Sequence, residues 1–286
     1  MTAIVTEGAH VLPAVPAVPA PSAPAQPSAP DIVPTTPIDG VPICAATTGS
    51  LTTTIISRTL LPGTEVFVGV NAHVVNLARH DPDLRDFLRD AATNYADGKS
   101  VVWAGSLLGG SVPERVATTD LAEPVLRAAA DADLPVYFFG GAEGVAARAA
   151  EKMVEHVPGL RIRTSHGFVA DDDVPALLDD IRAHDTRILF VGLGDPLQER
   201  WVQAHRDELP PVVLTCGGLF DWLSGAHRRA PRWMMQAGLE WAWRLLIEPR
   251  RLARRYLLGN PSFIGAVLRQ RFSRRTASAS LTGRSA

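Results

Sequence analysis

From about residue 50 onward, short runs of apolar and β-branched residues alternate with stretches of helical periodicity. The runs predict strands at Glu65 to Val70, Ser100 to Trp103, Pro135 to Phe139, Arg187 to Val191 and Val212 to Thr215. Between them, apolar residues recur one helical turn apart, at Leu84, Leu88 and Ala91, at Val145, Ala149 and Met153, and at Leu177 and Ile181. This alternation predicts an α/β fold: a Rossmann-like, mostly parallel sheet flanked by helices.

The beginning of the chain has a different composition. Ten prolines fall between Met1 and Pro42, among alanine, valine and serine, and this mixture favours extended polyproline conformation over a packed core. We therefore predict a disordered arm at 1–45, an α/β core at 46–231, a basic C-terminal appendage at 232–272 and a disordered tail at 273–286. The arm is either a plain tether or a docking segment for a partner, since PxxP-like spacing arises in any such stretch.

The C-terminal segment carries charge opposite to that of the rest of the chain. Residues 227–286 contain 13 arginines and two glutamates, so the net charge of −2 divides into about +11 there and about −13 before it. On a helical projection one side carries Arg250, Arg251, Arg254 and Arg255, and the other carries Leu252, Ala253, Tyr256 and Leu257. Such a basic amphipathic helix is typical of membrane interfaces. A helix docked on the protein and a nucleic-acid-binding helix are the alternatives; we expect an anionic membrane surface as partner and no nucleic acid.

Cysteine usage and hydropathy indicate an intracellular protein. Cys44 and Cys216 are too far apart in sequence for a CxxC or metal-binding motif, so both are expected to be reduced, structural thiols. The sequence has no run of eighteen apolar residues, and no basic patch followed by an apolar segment near Met1. We therefore expect a cytosolic location without a membrane span.

Several predicted strands end in glycine-rich or polar turns, namely Asn71-Ala72, Gly140-Gly141, Gly192 to Pro196 and Gly217-Gly218. In open α/β sheets, ligands bind at the carboxyl ends of the strands, where glycines admit close approach and helix N-termini offer N–H groups to anions. The turns thus indicate a phosphorylated ligand, although turn geometry alone also explains each glycine. The sequence contains neither a GxGxxG fingerprint nor a Walker A motif, so neither a dinucleotide-binding protein nor a P-loop protein has direct support.

An ordered series of motifs resembles one glycosyltransferase family. Its N-terminal half comprises Asn71-Ala72-His73-Val74, Leu77-Ala78, Asp81-Pro82, Leu84-Arg85, Ala96-Asp97-Gly98, Val101 to Ala104 and Pro113-Glu114-Arg115-Val116. The C-terminal half adds Phe139-Gly140-Gly141, His166-Gly167-Phe168, Val191 to Gly194, Gln198-Glu199-Arg200-Trp201, Gly217-Gly218, Phe220-Asp221, Arg229-Ala230-Pro231, Gly238 to Trp241, Arg244-Leu245, Pro249-Arg250-Arg251 and Arg255-Tyr256. Over about residues 65 to 272, in order and in spacing, the chain resembles the WecG/TagA/CpsF glycosyltransferases.

This resemblance implies an inverting transfer of a sugar from a UDP-sugar to an undecaprenyl-diphosphate-linked saccharide, at the inner face of the membrane, in cell-envelope polysaccharide synthesis. It leaves N-acetylmannosamine, its uronic acid and glucose open as the donor sugar, and it is compatible with a homo-oligomer. The alternatives outside this activity are a non-catalytic peripheral membrane module that binds nucleotides or lipid phosphates, and a UDP-sugar epimerase or hydrolase.

The resemblance also implies residue roles. Asp97 matches the general base that takes the proton of the acceptor hydroxyl, Arg115 matches an arginine beside that base, and Asn71 matches a residue of the same pocket. Gly69 departs from the family, in which threonine is frequent at this position. Taken alone, Asp97-Gly98 is also an ordinary turn signal.

For the nucleotide, the resemblance points to Gly140 and Gly141, to Phe168, to the loop from Gly192 through Gly194 to Gln198, and to Asp221. Phe168 stands where relatives often carry tyrosine, which preserves stacking on uracil and loses a hydroxyl contact. Gln198 either contacts hydroxyls of the donor or simply begins a helix.

For the diphosphate, Arg244, Arg251 and Arg254 match arginines that close over the active site. Asp171-Asp172-Asp173 looks like a solvated helix N-terminus and not like a metal-binding diphosphate motif, so metal-independent catalysis without a cofactor is expected. His73 and His166 are expected to be structural or pocket-lining residues.

Overall fold

The computed structural model describes residues 34–90, 92–226, 230–231, 233–234, 240–247 and 249–282, without the side chains of 240, 244, 251, 254 and 274–282. Most of the predicted arm, at 1–33, and the helical position predicted for Ala91 lie outside these residues.

The described chain begins with an antiparallel hairpin and continues as alternating helices and strands. The hairpin consists of β1 (Thr35–Ile38) and β2 (Val41–Cys44). The first half then contains α1 (Thr48–Arg58), β3 (Glu65–Val70), α2 (Ala72–His80), α3 (Pro82–Asp90), β4 (Ala92–Ala96), α4 (Lys99–Leu107) and α5 (Thr118–Asp131). The second half contains β5 (Val136–Gly140), α6 (Val145–His156), β6 (Ile162–Ser165), α7 (Val174–Ala183), β7 (Ile188–Gly192), α8 (Leu197–Ala204), β8 (Val212–Thr215) and α9 (Leu219–Leu223).

Strands β3 to β8 form one parallel sheet in the order β4-β3-β8-β7-β5-β6. Every residue of β5, β7 and β8 is buried, as expected for parallel strands with helices on both faces. One face packs against helices α2, α3, α4 and α7, and the other against α1, α5, α6 and α9. The predicted α/β fold with a mostly parallel sheet is confirmed.

Four of the five predicted strands are present, but the prediction for Ser100 to Trp103 is wrong, because this run lies in α4. Its apolar residues face the core at helical spacing, with Val101 and Ala104 fully buried. The strand of this region is β4, whose polar Asn94 disguised it in the sequence. Asn94 is 2% exposed, and its Nδ2 donates to the carbonyl oxygen of Pro42 at 3.0 Å. Strand β6 was also missed, since only one of its residues, Ile162, is a large apolar residue.

The hairpin corrects the predicted end of the arm at residue 45. Ile38, Val41 and Ile43 are fully buried, and they extend the core beside β4. The hairpin also contacts the C-terminal part of the chain, because the backbone N–H of Asp39 donates to Oε1 of Gln270 at 2.8 Å. The ordered fold therefore begins before the predicted boundary, within the proline-rich stretch.

Three C-terminal helices follow, α10 (Glu240–Ile247), α11 (Pro249–Leu257) and α12 (Gly259–Thr282), together called the roof helices below. Each of them brings residues to the carboxyl end of the sheet. Phe263 and Val267 of α12 are fully buried among core residues of α2 and its neighbours, and Asn76 Nδ2 donates to the carbonyl oxygen of Gly259 at 2.7 Å. Helix α12 runs on to Thr282, past the predicted boundary at 272. Among the described residues, no helix combines the length and apolar character needed to span a bilayer.

Candidate active site

A cavity of about 620 Å³ lies where strands β3, β4 and β8 end. Its walls come from the turns after these strands and from the loop after β7, and the roof helices close one side through Arg255, Tyr256 and Leu257. Four of the predicted site residues line it together: Asn71, Asp97, Arg115 and Gln198. Because the carboxyl ends of parallel strands share one edge of the sheet, residues distant in sequence converge here.

Asp97 follows β4 directly and is fixed from two sides. Its backbone N–H donates to the carbonyl oxygen of Val70 at 2.9 Å, which continues the pairing between β4 and β3. Its Oδ1 accepts a hydrogen bond from the backbone N–H of Thr118 at 3.0 Å, the first residue of α5. The carboxylate thus lies at the positive end of a helix of 14 residues, where a negative charge is stabilised.

The turn after Asp97 brings it close to Asn71. Gly98 has extended backbone, with φ of −136°, and a Cβ on it would lie 3.4 Å from the Cβ of Asn71. Gly98 is the N-cap of α4, so the Asp97-Gly98 dipeptide forms the junction between β4 and α4, and both residues line the cavity.

Arg115 reaches the cavity from the loop before α5. The backbone N–H of Val116 donates to the carbonyl oxygen of Ala96 at 2.8 Å, so this loop lies alongside the end of β4. The Nη2 of Arg115 donates to Oδ2 of Asp120 at 3.0 Å, and the Arg115 side chain is only 14% exposed. The guanidinium is therefore held in place beside the cavity before any ligand arrives.

Asn71 is the N-cap of α2. Its Oδ1 accepts from the backbone N–H groups of His73 at 2.9 Å and Val74 at 3.4 Å. The same oxygen lies 3.4 Å from Nη2 of Arg255, a donor from α11. His73 also lines the cavity, as expected, and burial together with the Arg255 charge lowers its pKa to about 4. The imidazole is therefore neutral at physiological pH.

Arg255 is the roof residue that the sequence analysis did not select. Its guanidinium carbon lies 5.8 Å from the centre of the Tyr256 ring, and its Nε has no hydrogen-bond partner among the described residues. The arginines predicted from the sequence also lie on roof helices, Arg244 on α10 and Arg251 and Arg254 on α11. Their side chains are outside the described part of the chain. The signal for Arg255 was present, since it belongs to the Arg255-Tyr256 motif.

Gln198 forms the centre of a buried polar cluster. Its Nε2 donates to Oδ1 of Asp195 and to Oε1 of Glu199, both at 2.8 Å, and its Oε1 accepts from the N–H of Gly217 at 3.0 Å. It is also the second residue of α8, so the predicted helix-start position is confirmed. The amide ties the loop after β7 to the turn after β8, both of which line the cavity.

Asp195 and Glu199 carry the perturbed carboxyl groups of this cluster. Glu199 is 1% exposed, and burial, followed by the nearby Asp195 charge, raises its pKa to about 8. Burial also raises the pKa of Asp195, which the Arg255 charge opposes. Neither residue was predicted; Glu199 stands in the Gln198-Glu199-Arg200-Trp201 motif, and Asp195 in the glycine-rich loop.

The predicted nucleotide-binding residues other than Gln198 do not line the cavity, and the glycines among them lie along the neighbouring strand ends. The N–H of Gly141 donates to the carbonyl oxygen of Gly192 at 3.1 Å, and a Cβ on Gly140 would collide with the Gly192 backbone. Gly194 has φ of +81°, a conformation that glycine adopts readily. Close packing and turn geometry therefore explain these glycines.

Phe168 and Asp221 also lie outside the cavity lining. The Phe168 side chain, after β6, is 79% exposed, and its backbone N–H donates to Nδ1 of His166 at 3.2 Å. Asp221 is half-buried in α9, next to Gly218, which lines the cavity. The aspartates at 171–173 form an exposed 3₁₀ turn before α7, as predicted.

Both cysteines are buried free thiols, as expected. Burial raises the pKa of Cys44 to about 11, and burial with the nearby Asp195 charge raises the pKa of Cys216. Cys216 lines the cavity, but as a neutral thiol it is a poor nucleophile.

Comparison with known proteins identifies the family of the chain. The model of the family described as Glycosyl transferase WecG/TagA/CpsF matches residues 36–277, from the hairpin to α12. Two relatives carry the name N-acetylglucosaminyldiphosphoundecaprenol N-acetyl-beta-D-mannosaminyltransferase. The protein from Bacillus spizizenii is 34% identical over 204 residues, covering 71% of this chain and 78% of that protein. The protein from Bacillus subtilis is 30% identical over 209 residues, covering 72% and 80%. The chain is therefore a glycosyltransferase and belongs to the WecG/TagA/CpsF family.

Proposed function

We propose that the protein transfers N-acetylmannosamine from a UDP-sugar to N-acetylglucosamine linked to polyprenyl diphosphate, with inversion at the anomeric carbon. The names of both relatives support this sugar and this acceptor, and they favour it over the uronic acid and glucose. The observation that carries the proposal is the position of Asp97, held at the N-terminus of α5 in a cavity that Arg115 and Arg255 also line.

Asp97 acts as the general base. Its carboxylate takes the proton of the acceptor hydroxyl while the oxygen of that hydroxyl bonds to the anomeric carbon of the donor. The bond from this carbon to the UDP oxygen breaks on the opposite face, and UDP leaves with the electron pair. A positioned base of this kind accelerates a reaction by about 10²- to 10⁴-fold.

Arg115 and Arg255 balance the charge that develops on the departing diphosphate. Arginine groups suit this task, because their planar donors match phosphate oxygens and they stay protonated. Arg115 approaches from the wall before α5 and Arg255 from the roof, so a diphosphate between them would be held from two sides. We propose that these cations act without a divalent metal, so excess EDTA would leave the rate unchanged.

The nucleotide would extend from the cavity along the outer strand ends. Strands β8, β7, β5 and β6 are consecutive in the sheet, and at about 4.8 Å between strands their ends form a ledge about 14 Å long. Gly140, Gly141 and Gly192 have no side chains that would obstruct a nucleotide on this ledge. The exposed Phe168 at the far end offers a ring for stacking on uracil. Asp221 lies where the ledge meets the cavity, within reach of a ribose hydroxyl.

The roof helices would hold the enzyme on the membrane that contains the acceptor. Apolar side chains on α11 and the residues after it are exposed, with Leu257 at 61% and Leu258 at 66%, and Arg250 is exposed on the same helix. An amphipathic surface of this composition binds anionic lipid. The proposal places the reaction at the cytoplasmic face of the membrane.

The test is incubation of the purified full chain with UDP-N-acetylmannosamine and a short-chain polyprenyl-diphosphate N-acetylglucosamine. We expect UDP release that depends on the acceptor, and a disaccharide-lipid product in the mass spectrum. UDP release without acceptor would indicate a hydrolase or epimerase instead. Parallel reactions with UDP-glucose and the UDP-linked uronic acid decide the donor sugar, and faster turnover of either would overturn the proposed one.

A further inference from the structure

Gly69 of β3 has almost no room for a side chain. A Cβ at this position would lie 2.6 Å from Oγ1 of Thr118, 3.1 Å from the hydroxyl oxygen of Tyr95 and 3.2 Å from the Cβ of Asp97. Gly69 has no positive φ, so its backbone conformation would suit other residues. What requires glycine here is space, and the space is occupied by the hydroxyl of Thr118.

Thr118 is anchored on both sides of this contact. Its backbone N–H donates to Oδ1 of Asp97 at 3.0 Å, and its Oγ1 lies 2.9 Å from the hydroxyl oxygen of Tyr95, with which it shares a hydrogen bond. Thr118 is 7% exposed and Tyr95 is fully buried. Tyr95 is also the partner of Gly69 in the register between β4 and β3. The hydroxyl of Thr118 therefore ties the first residue of α5 to β4, the strand that Asp97 follows, and it occupies the space beside Gly69 of β3.

Tyr95 is a durable partner for this hydroxyl. Burial, followed by the nearby Asp97 charge, raises the pKa of its phenol, so the phenol is protonated at physiological pH. A buried hydroxyl without a hydrogen-bond partner is destabilising, so the hydrogen bond between Thr118 and Tyr95 is favoured over leaving either hydroxyl unpaired.

We propose that Thr118 is the positioning residue for the catalytic carboxylate of Asp97, and that Gly69 is the residue that makes room for it. The hydroxyl of Thr118 holds the start of α5 against β3 and β4, and the N–H of the same residue then sets the plane of the carboxylate toward the acceptor hydroxyl. This inference depends on the proposed role of Asp97 as base.

The first experiment removes the hydroxyl and leaves the shape. Thr118→Val keeps the branched side chain and the backbone N–H, and we expect kcat to fall by about 10- to 100-fold, because small misplacements of reacting groups have effects of this size. The Kd for UDP and the KM for the donor should stay within about twofold of wild type, and Thr118→Ser should restore at least half of the rate. Unchanged kcat in Thr118→Val would overturn the proposal.

The second experiment moves the hydroxyl from α5 to β3. Gly69→Ser alone and Thr118→Gly alone should each lower both kcat and the thermal unfolding midpoint, the first by crowding and the second by loss of the anchor. In the double variant the crowding is relieved and the serine hydroxyl is within reach of Tyr95, so we expect the midpoint to recover above both single variants. We expect kcat to stay low, because no hydroxyl then anchors α5. Strictly additive losses of the midpoint would contradict the contact between positions 69 and 118, since residues in contact are coupled.

The two proposals fail in different ways. If wild-type protein releases no UDP with the acceptor, or if Asp97→Asn retains full turnover, the proposed function fails and with it the catalytic purpose of Thr118. If wild type and Asp97→Asn behave as expected while Thr118→Val matches wild type, only the positioning role fails. Should Thr118→Val not fold, Thr118→Ser and the double variant decide: the first should keep at least half of the rate, and full turnover in the second would overturn the positioning role.

Discussion

Nη2 of Arg255 lies 3.4 Å from Oδ1 of Asn71, so a roof helix contacts the end of a central strand 184 residues earlier in the chain. Asn71 already caps α2 with the same oxygen, which keeps that oxygen fixed and directs the guanidinium into the cavity. The roof helices therefore contribute a cation to the site as well as covering it.

Replacing Arg255 by alanine should lower kcat/KM by about 10²- to 10³-fold, the usual effect of removing one donor from a charge-stabilising site. Steady-state kinetics with saturating acceptor measure this. Arg250→Ala is the matched control, because Arg250 is an exposed arginine on the same helix and should lose much less. Equal losses in the two variants would mean that Arg255 acts only through the general positive charge of α11.

Asp97→Asn should lower turnover by about 10²- to 10⁴-fold and leave the Kd for UDP nearly unchanged, since the amide is nearly isosteric but cannot accept the proton. Isothermal titration with UDP and acceptor-dependent UDP release separate the two quantities. Asp133→Asn serves as control, because that carboxylate is exposed. A variant with wild-type turnover would remove Asp97 from the mechanism.

Glu199 should make the stability of the protein depend on pH. Its carboxyl group keeps its proton up to about pH 8 in the folded protein but releases it near 4.5 in an unfolded chain. The folded state binds more protons between these values, so its free energy of unfolding falls as pH rises through this window, by at most about 1.4 kcal/mol per pH unit. Below pH 4.5 this contribution is fully present.

Urea unfolding at pH 5, 6.5 and 8 tests this dependence. We expect Glu199→Gln to flatten it, so that the variant gains stability relative to wild type as pH rises. Glu151→Gln, at an exposed position on α6, should leave the slope unchanged. Parallel curves for wild type and Glu199→Gln would show that this carboxyl group does not hold the extra proton.

The exposed apolar residues near the roof should determine membrane binding. Leu258→Ser combined with Leu268→Ser should weaken binding to phosphatidylglycerol-containing vesicles and slow transfer to acceptor embedded in them, because less apolar surface enters the interface. Transfer to a short-chain acceptor in solution should be unaffected. Leu60→Ser is the control, since Leu60 is 77% exposed and precedes β3, at the opposite end of the sheet from the cavity. Equal vesicle binding by all three proteins would refute the role of this surface.

The sheet could be predicted where periodicity and burial agree, as in β3, β5, β7 and β8. It was mistaken around Val101, where a run of apolar residues belongs to a helix that buries Val101 and Ala104 and leaves Trp103 exposed. It was missed at Asn94, because a buried asparagine whose Nδ2 donates to backbone carbonyls looks like a loop residue in sequence. The hairpin at 35–44 was hidden by the prolines around it, which edge strands tolerate.

The site was predicted through resemblance more than through pattern. Asp97 and Gln198 were selected from motifs, and the structure brings them to one cavity. The choice of Arg255 over its neighbours depends on how α11 docks against α2, a tertiary relationship that helical projection does not contain. The partnership of Gly69 with Thr118 was equally hidden, because 49 residues separate them and neither belongs to a recognisable spacing.

The hydrogen bonds between Gln270 and the hairpin restrict the order in which the parts of the protein can fold during synthesis. The side chain of Gln270 accepts a hydrogen bond from Asp39 and donates one to the carbonyl oxygen of Pro37. The hairpin therefore cannot form these bonds until the ribosome has added more than two hundred further residues. During synthesis the six-stranded sheet can form before the roof helices have covered the hairpin and the cavity. A nascent chain therefore gains a competent site only after the last helix has emerged and docked.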